Sequence, residues 1–172
     1  MGNIYSINGS QPPDEWLSMS NGTTSAFIDL MALAAGVLAG NDGERLLAVC
    51  IAEEDQSVRG IGTVGFELSE LPWDIDRFEE QRSFMLRVTE AAASGLGSEC
   101  LGYVPDLGFL KPCFDKFALM LEKMTADDID PDAAEERRAE AEDSDPERCG
   151  FPRCEKHGVY LTCFGCVICN GE

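Results

Sequence analysis

Apolar residues recur at helical spacing from Phe27 onward. Phe27, Leu30, Met31, Ala34 and Leu38 fall on one stripe, and Ile28, Leu33 and Val37 nearly close the circle. Asp29 is the only charge among them, so the pattern predicts a central, buried helix. Its start is expected at Thr23 or Thr24, whose hydroxyls can cap it, and its end at Gly40. Asn41-Asp-Gly-Glu44 reads as an N-x-x-E cap for a second helix, which turns Leu46, Leu47, Cys50 and Ile51 inward until about Asp55. The longest helix opens at Asp74 or Asp76, where Asp76-Arg-Phe-Glu79 matches a capping box. Phe78, Met85, Val88 and Ala92 form its buried seam as far as Gly95. Pro112 suits a first helical position and opens a fourth helix bearing Phe114, Phe117, Leu121 and Met124. Cys113 then falls in a first turn, where the helix dipole lowers a thiol pKa; with no second thiol or His nearby in sequence, a structural role is favoured.

The stretches between these helices lose the helical rhythm. Residues 1–23 are rich in Gly, Asn, Ser and Pro, with Trp16-Leu17 as the core anchor. Val58 to Phe66 carries Gly60, Gly62 and Gly65, which suggests a phosphate cradle, but no P-loop lysine or following helix completes one. It reads as a loop or short extended segment packing Val64, Phe66, Leu68 and Trp73 on the core. From Thr125 to Arg148 the composition shifts to Ala, Asp and Glu with no large apolar face. That segment is either a solvated helix held by pairs such as Glu135/Arg138 or a disordered tether. Asp128-x-Asp130-x-Asp132 resembles the start of a calcium loop, then fails at Ala133 and Ala139, where a glycine and a bidentate Glu are needed. The expected fold is mainly α: four principal helices around one core, with a small C-terminal zinc-knuckle or hairpin element. The expected division is a helical core domain over residues 1–125, an acidic linker or solvated helix over 126–148, and a Cys/His element over 149–172.

Charge narrows the choice of partners. There are 32 acidic and 13 basic residues, a formal net of −19. Such a surface repels phosphate backbones and excludes a nucleic-acid role, while favouring fast encounter with a basic protein. There is no apolar run of membrane-spanning length and no basic region followed by an apolar one at the N-terminus, so a cytoplasmic location without membrane association is expected. Met1-Gly-Asn-Ile-Tyr-Ser6 fits the myristoylation pattern, but nothing basic follows to reinforce an anchor.

The last two dozen residues carry the chemistry. Five of eight cysteines and the only histidine lie between Cys149 and Glu172. Cys154-Glu-Lys-His157 and Cys166-Val-Ile-Cys169 are paired ligands whose two-residue spacers let both side chains of a pair converge on one ion. Gly158 to Gly165 is β-prone and bounded by glycines, so a short hairpin can return the second pair to the first. Three thiolates and an imidazole select Zn²⁺ over the oxygen-seeking Mg²⁺ and Ca²⁺. The reading is a structural Cys3His zinc site of Cys154, His157, Cys166 and Cys169, with Cys149 and Cys163 as possible substitutes. The alternatives are a disulfide cluster, disfavoured in a reducing compartment, or thiols without a partner. With its one histidine committed to metal, the chain offers no Ser-His-Asp or Cys-His arrangement, so no catalytic residue is assigned.

Three stretches together look familiar: Trp16 to Gly22, Gly62 to Trp73, and the tail phrases Cys154 to Tyr160 and Gly165 to Asn170. They resemble small acidic bacterial proteins of the kind found as immunity proteins beside polymorphic toxins. The resemblance implies a non-catalytic protein that neutralises a basic toxin by binding it, and it transfers no functional residues. The alternative function is a zinc-stabilised adaptor or regulatory subunit for another protein. An enzyme of unrecognised type is a third possibility.

Overall fold

A computed structural model describes residues 3–172, so the first two residues of the myristoylation pattern lie outside it. The chain opens with β1 (Asn3–Tyr5), paired antiparallel with β2 (Leu17–Met19) so that Tyr5 faces Leu17 across the ladder. Asn3 then anchors this hairpin, donating through its side-chain amide to Thr24 Oγ1 at 2.9 Å.

Helix α1 (Asn21–Leu38) starts earlier than Thr23 or Thr24. Ser20 is extended and its Oγ accepts the Thr23 N–H, so Ser20 is the cap, while the Thr24 hydroxyl donates back to the Ser20 carbonyl. Every residue from Phe27 to Gly36 is buried. By length and a mean hydropathy of 1.2 this helix could cross a membrane, but 61% of it is buried inside the protein by its neighbours, as expected of a core helix. Helix α2 (Asp42–Glu53) uses the N-x-x-E cap: Asn41 Oδ1 accepts from Glu44 N, and Glu44 reaches back to Gly40 N at 2.7 Å.

The glycine-rich stretch after α2 is a tight hairpin of β3 (Asp55–Gln56) and β4 (Gly62–Thr63), closed through left-handed Gly60. Its continuation passes so close to β1 that a Cβ on Gly65 would sit 2.0 Å from the Ile4 carbonyl oxygen. Trp73 is buried beyond it, with its indole N–H on the Leu68 carbonyl.

Helix α3 (Phe78–Ala93) has no capping box at Asp76. Asp74 instead caps a single 3-10 turn, Ile75–Arg77, from which α3 continues. Helix α4 (Leu107–Lys123) begins five residues before Pro112, because Asp106 Oδ1 takes the Phe109 N–H and nucleates the helix there. The proline sits in the second turn, where the bond it cannot make would run to the exposed Gly108 carbonyl, which water can satisfy. Cys113 is therefore outside the first turn, and burial pushes its thiol pKa up instead of the dipole lowering it.

Helix α1 packs against α2, α3 and α4, and Phe27 joins them by stacking on Phe114 at 4.7 Å. The acidic segment is folded onto this body. Ile129 is buried, Asp130 N bonds the Ser69 carbonyl, and α5 (Ala133–Glu140) follows with no buried side chain. The Glu135/Arg138 pair is not among the ion pairs. Arg137 holds the segment instead, bonding Glu53 of α2 and Glu147 at 2.8 Å each. The molecule is mainly helical, with little sheet and a Cys/His cluster at its C-terminus.

Candidate metal centre

Two tight turns set out the cluster. Arg153 bridges antiparallel to Tyr160, Cys154 N bonds the Val159 carbonyl, and Gly158 returns its N–H to the Cys154 carbonyl. Gly158 takes φ 68°, which turns the chain back immediately after His157. A second turn, Thr162 to Gly165, leads to Cys166, whose sulfur accepts the Cys169 N–H and caps α6 (Val167–Gly171).

These turns place the four donor atoms within 4.8 Å of one another. His157 Nδ1 lies 3.6 Å from Cys154 Sγ, 3.5 Å from Cys166 Sγ and 3.3 Å from Cys169 Sγ. The Cys154 and Cys169 sulfurs are 3.8 Å apart. A tetrahedral ion with ordinary metal–thiolate and metal–imidazole bonds requires edges of roughly 3.8 Å between sulfurs and roughly 3.6 Å from sulfur to nitrogen. The observed edges match that figure, and a disulfide at about 2.05 Å does not. All eight cysteines are free.

The electrostatics fit a site built for a cation. Burial opposes ionisation of Cys154, yet the backbone N–H groups of His157 and Lys156, with the Cys166 thiol, hold its pKa down to about 6. Burial and the neighbouring Cys154 and Cys169 sulfurs push Cys166 up to about 12. Crowded thiols thus ionise at one another's expense, and a central dication removes that conflict. His157 Nε2 is buried without a hydrogen-bond partner, and Glu172 Oε1 stands 3.5 Å away, too poorly aligned to count as a bond. A carboxylate behind a ligating imidazole fixes its tautomer and orientation. Lys156 in turn pairs with Glu172.

The four sequence-derived ligands are thus together, and the two spare thiols are elsewhere. Cys149 is exposed with its sulfur on the Asp143 carbonyl, and Cys163 is exposed beside the α2/α5 cavity. Glu172 escaped the sequence reading, although it continues the three-residue step from Cys166 to Cys169. Gly36 escaped it too. A Cβ there would lie 2.6 Å from the Gly158 carbonyl oxygen, so this glycine lets the metal turn seat directly on α1. Phe151, Val159, Tyr160, Val167 and Ile168 are buried in the same core cluster as α1 to α4.

No protein-family model, no curated protein and no solved structure matches this chain.

Proposed function

We propose that the chain is a non-catalytic binding protein for a basic protein partner, built as four principal helices around one core and closed by a structural zinc knuckle. Three thiolates and one imidazole suit Zn²⁺, and four protein ligands leave no open position for chemistry. Cys154, His157, Cys166 and Cys169 hold the ion, which supplies a cross-link between the two turns.

The observation that carries the partner reading is a cavity of about 570 Å³ between α2, the 66–72 segment and α5. Nine carboxylates line it against one guanidinium, that of Arg137, which Glu53 and Glu147 already occupy. Among the nine, Glu54 is pushed up to about 8 by burial and then by the charges of Glu53 and Glu70. With Glu54 protonated near neutral pH and Glu53 and Glu147 paired to Arg137, the six remaining carboxylates form an acidic wall that steers and receives lysine or arginine side chains. Together with the resemblance to immunity-type proteins, this favours an inhibitor that neutralises a basic toxin in the cytoplasm by binding it.

The test is association kinetics with the captured partner across ionic strength. Association should slow markedly from low to high salt, with dissociation changing less. If no basic partner is captured from the native host at low salt, the inhibitor reading gives way to that of a zinc-stabilised adaptor.

A further inference from the structure

A second cavity, of about 650 Å³, lies on the other side of the acidic segment and shares Pro72, Arg137, Ala141 and Glu147 with the first. Its chemistry differs. Four arginines face four carboxylates, in a chain where acids outnumber bases 32 to 13. We propose that this cavity binds an amphipathic organic anion: a flat apolar body carrying a single carboxylate or sulfonate.

The apolar half of the argument rests on Trp73, Ile129 and Phe151, which line the cavity and are otherwise buried. The Trp73 indole N–H is satisfied by the Leu68 carbonyl, so the side chain offers a ligand only its ring surface. Phe151 is the only non-glycine among the described residues with positive φ, at 55°. A bulky side chain in that region is strained. Ile75 stands on the rim, 56% exposed, where an apolar ligand would cover it.

The anionic half rests on which charges are already used. Arg77 pairs with Glu80, and Arg137 with Glu53 and Glu147. Arg138 and Arg148 have no carboxylate partner among the described residues, and Arg148 donates instead to the Arg138 carbonyl at 3.1 Å. On the acidic side, Asp42 is taken by Arg45 and Glu147 by Arg137, while Asp74 accepts the Asp76 N–H and, like Glu135, has no cationic partner among the described residues. Arg138 and Arg148 are therefore the guanidiniums beside this aromatic cavity that have no ion-pair partner of their own. Planar guanidiniums favour carboxylate and sulfonate oxygens. The volume lies within the range of small-molecule sites.

The probe is 8-anilinonaphthalene-1-sulfonate, titrated into the full-length protein as purified and followed by fluorescence. The expected result is saturable binding of one dye per chain, weakened about tenfold or more by Arg138→Glu with Arg148→Glu, the loss of charge-assisted hydrogen bonds. Both substitutions are at exposed positions, and circular dichroism checks that the fold is intact. Neutral N-phenyl-1-naphthylamine should bind far more weakly. In two-dimensional NMR the Trp73 indole signal should shift on dye addition and the Trp16 signal should stay. Absence of saturable binding, undiminished affinity in the double variant, equal affinity for the neutral analogue, or a shift at Trp16 without one at Trp73 each overturns the proposal.

Discussion

Helix α1 and the C-terminal turns lie against each other, yet they are held by different physics. α1 is surrounded by α2, α3 and α4 and needs no specific partner at any one position, since Phe27 to Gly36 are all buried. The segment from Arg153 to Glu172 has short turns, two isolated bridges and one five-residue helix. Four of its side chains meet at one point, where a metal ion would tie the turns together. Area buried in water-excluded packing is distributed and tolerant, whereas a ligand set is concentrated and fails with any one member. Single substitutions should therefore be graded in the body and all-or-none in the tail.

The largest effect follows directly. Cys154→Ser, His157→Ala, Cys166→Ser or Cys169→Ser should each strip the metal, because structural zinc contributes on the order of 10 kcal/mol to the order of its element. Elemental analysis after native purification reads this, with about one equivalent of zinc expected in the parent and little in the variants. Cys50→Ser, on the buried face of α2, should keep its metal. Metal-free parent protein with paired cysteines would refute the site itself.

Gly36 tests whether the two regions are coupled. In an isolated helix, Gly→Ala stabilises by about 1 kcal/mol. Here the new methyl would meet the Gly158 carbonyl oxygen at 2.6 Å, a backbone atom that cannot rotate away. Gly36→Ala should therefore destabilise the metal-loaded protein by about 1–3 kcal/mol, as overpacking does. After chelation releases the tail, the same substitution should become stabilising. Urea midpoints in both states check the change of sign, and a stabilised loaded protein would show that the tail is not seated on α1.

How much of this was legible depends on how local each signal is. The Cys/His cluster was readable because both pairs carry their spacing within four residues, and so was the α2 cap, which lies within Asn41 to Glu44. Pro112 misled because a proline at the start of a helix and one tolerated in its second turn look alike until Asp106 is seen to hold the true start. Thr23 and Thr24 misled for the same reason, since Ser20 differs from them only in its extended backbone. The acidic cavity was invisible, because its carboxylates come from α2, the 67–70 stretch and residues 130–147, which only the fold assembles.

Body and tail should also respond to pH in opposite senses. Glu54 rises from an ordinary 4.5 to about 8 in the folded chain, and Asp29, buried and bonded by the Tyr103 hydroxyl, from 3.8 to about 6. Burial is the main cause in both. A raised carboxyl favours the fold fully below its unfolded pKa, and that contribution is lost as pH rises through the folded value. Body stability should thus fall as pH rises from about 4 to about 8. Metal retention runs the other way, because acid protonates the thiolates. Glu54→Gln should flatten the stability curve from pH 6 to 8 without altering the zinc content, checked by urea midpoints at fixed ionic strength.

The smallest global effect belongs to Arg137, although it ties the acidic segment to α2. Its guanidinium joins Glu53 of α2 to Glu147 at the end of the acidic segment, with about a quarter of the side chain exposed. Arg137→Met leaves those two carboxylates facing each other, together with seven more around the same cavity. In a fully buried pair such a loss costs several kcal/mol. Here the segment has a cheaper response, because α5 buries no side chain and can lift away while α1 to α4 stay packed. The penalty is then capped by the local opening energy, and the global urea midpoint should move by less than about 1 kcal/mol. Amide exchange across residues 133–147 should accelerate by at least about tenfold, while exchange in α1 and zinc content stay unchanged. A large drop in global stability would mean that the acidic segment belongs to the same cooperative unit as α1. The contrast would then lie between the metal turns and everything else.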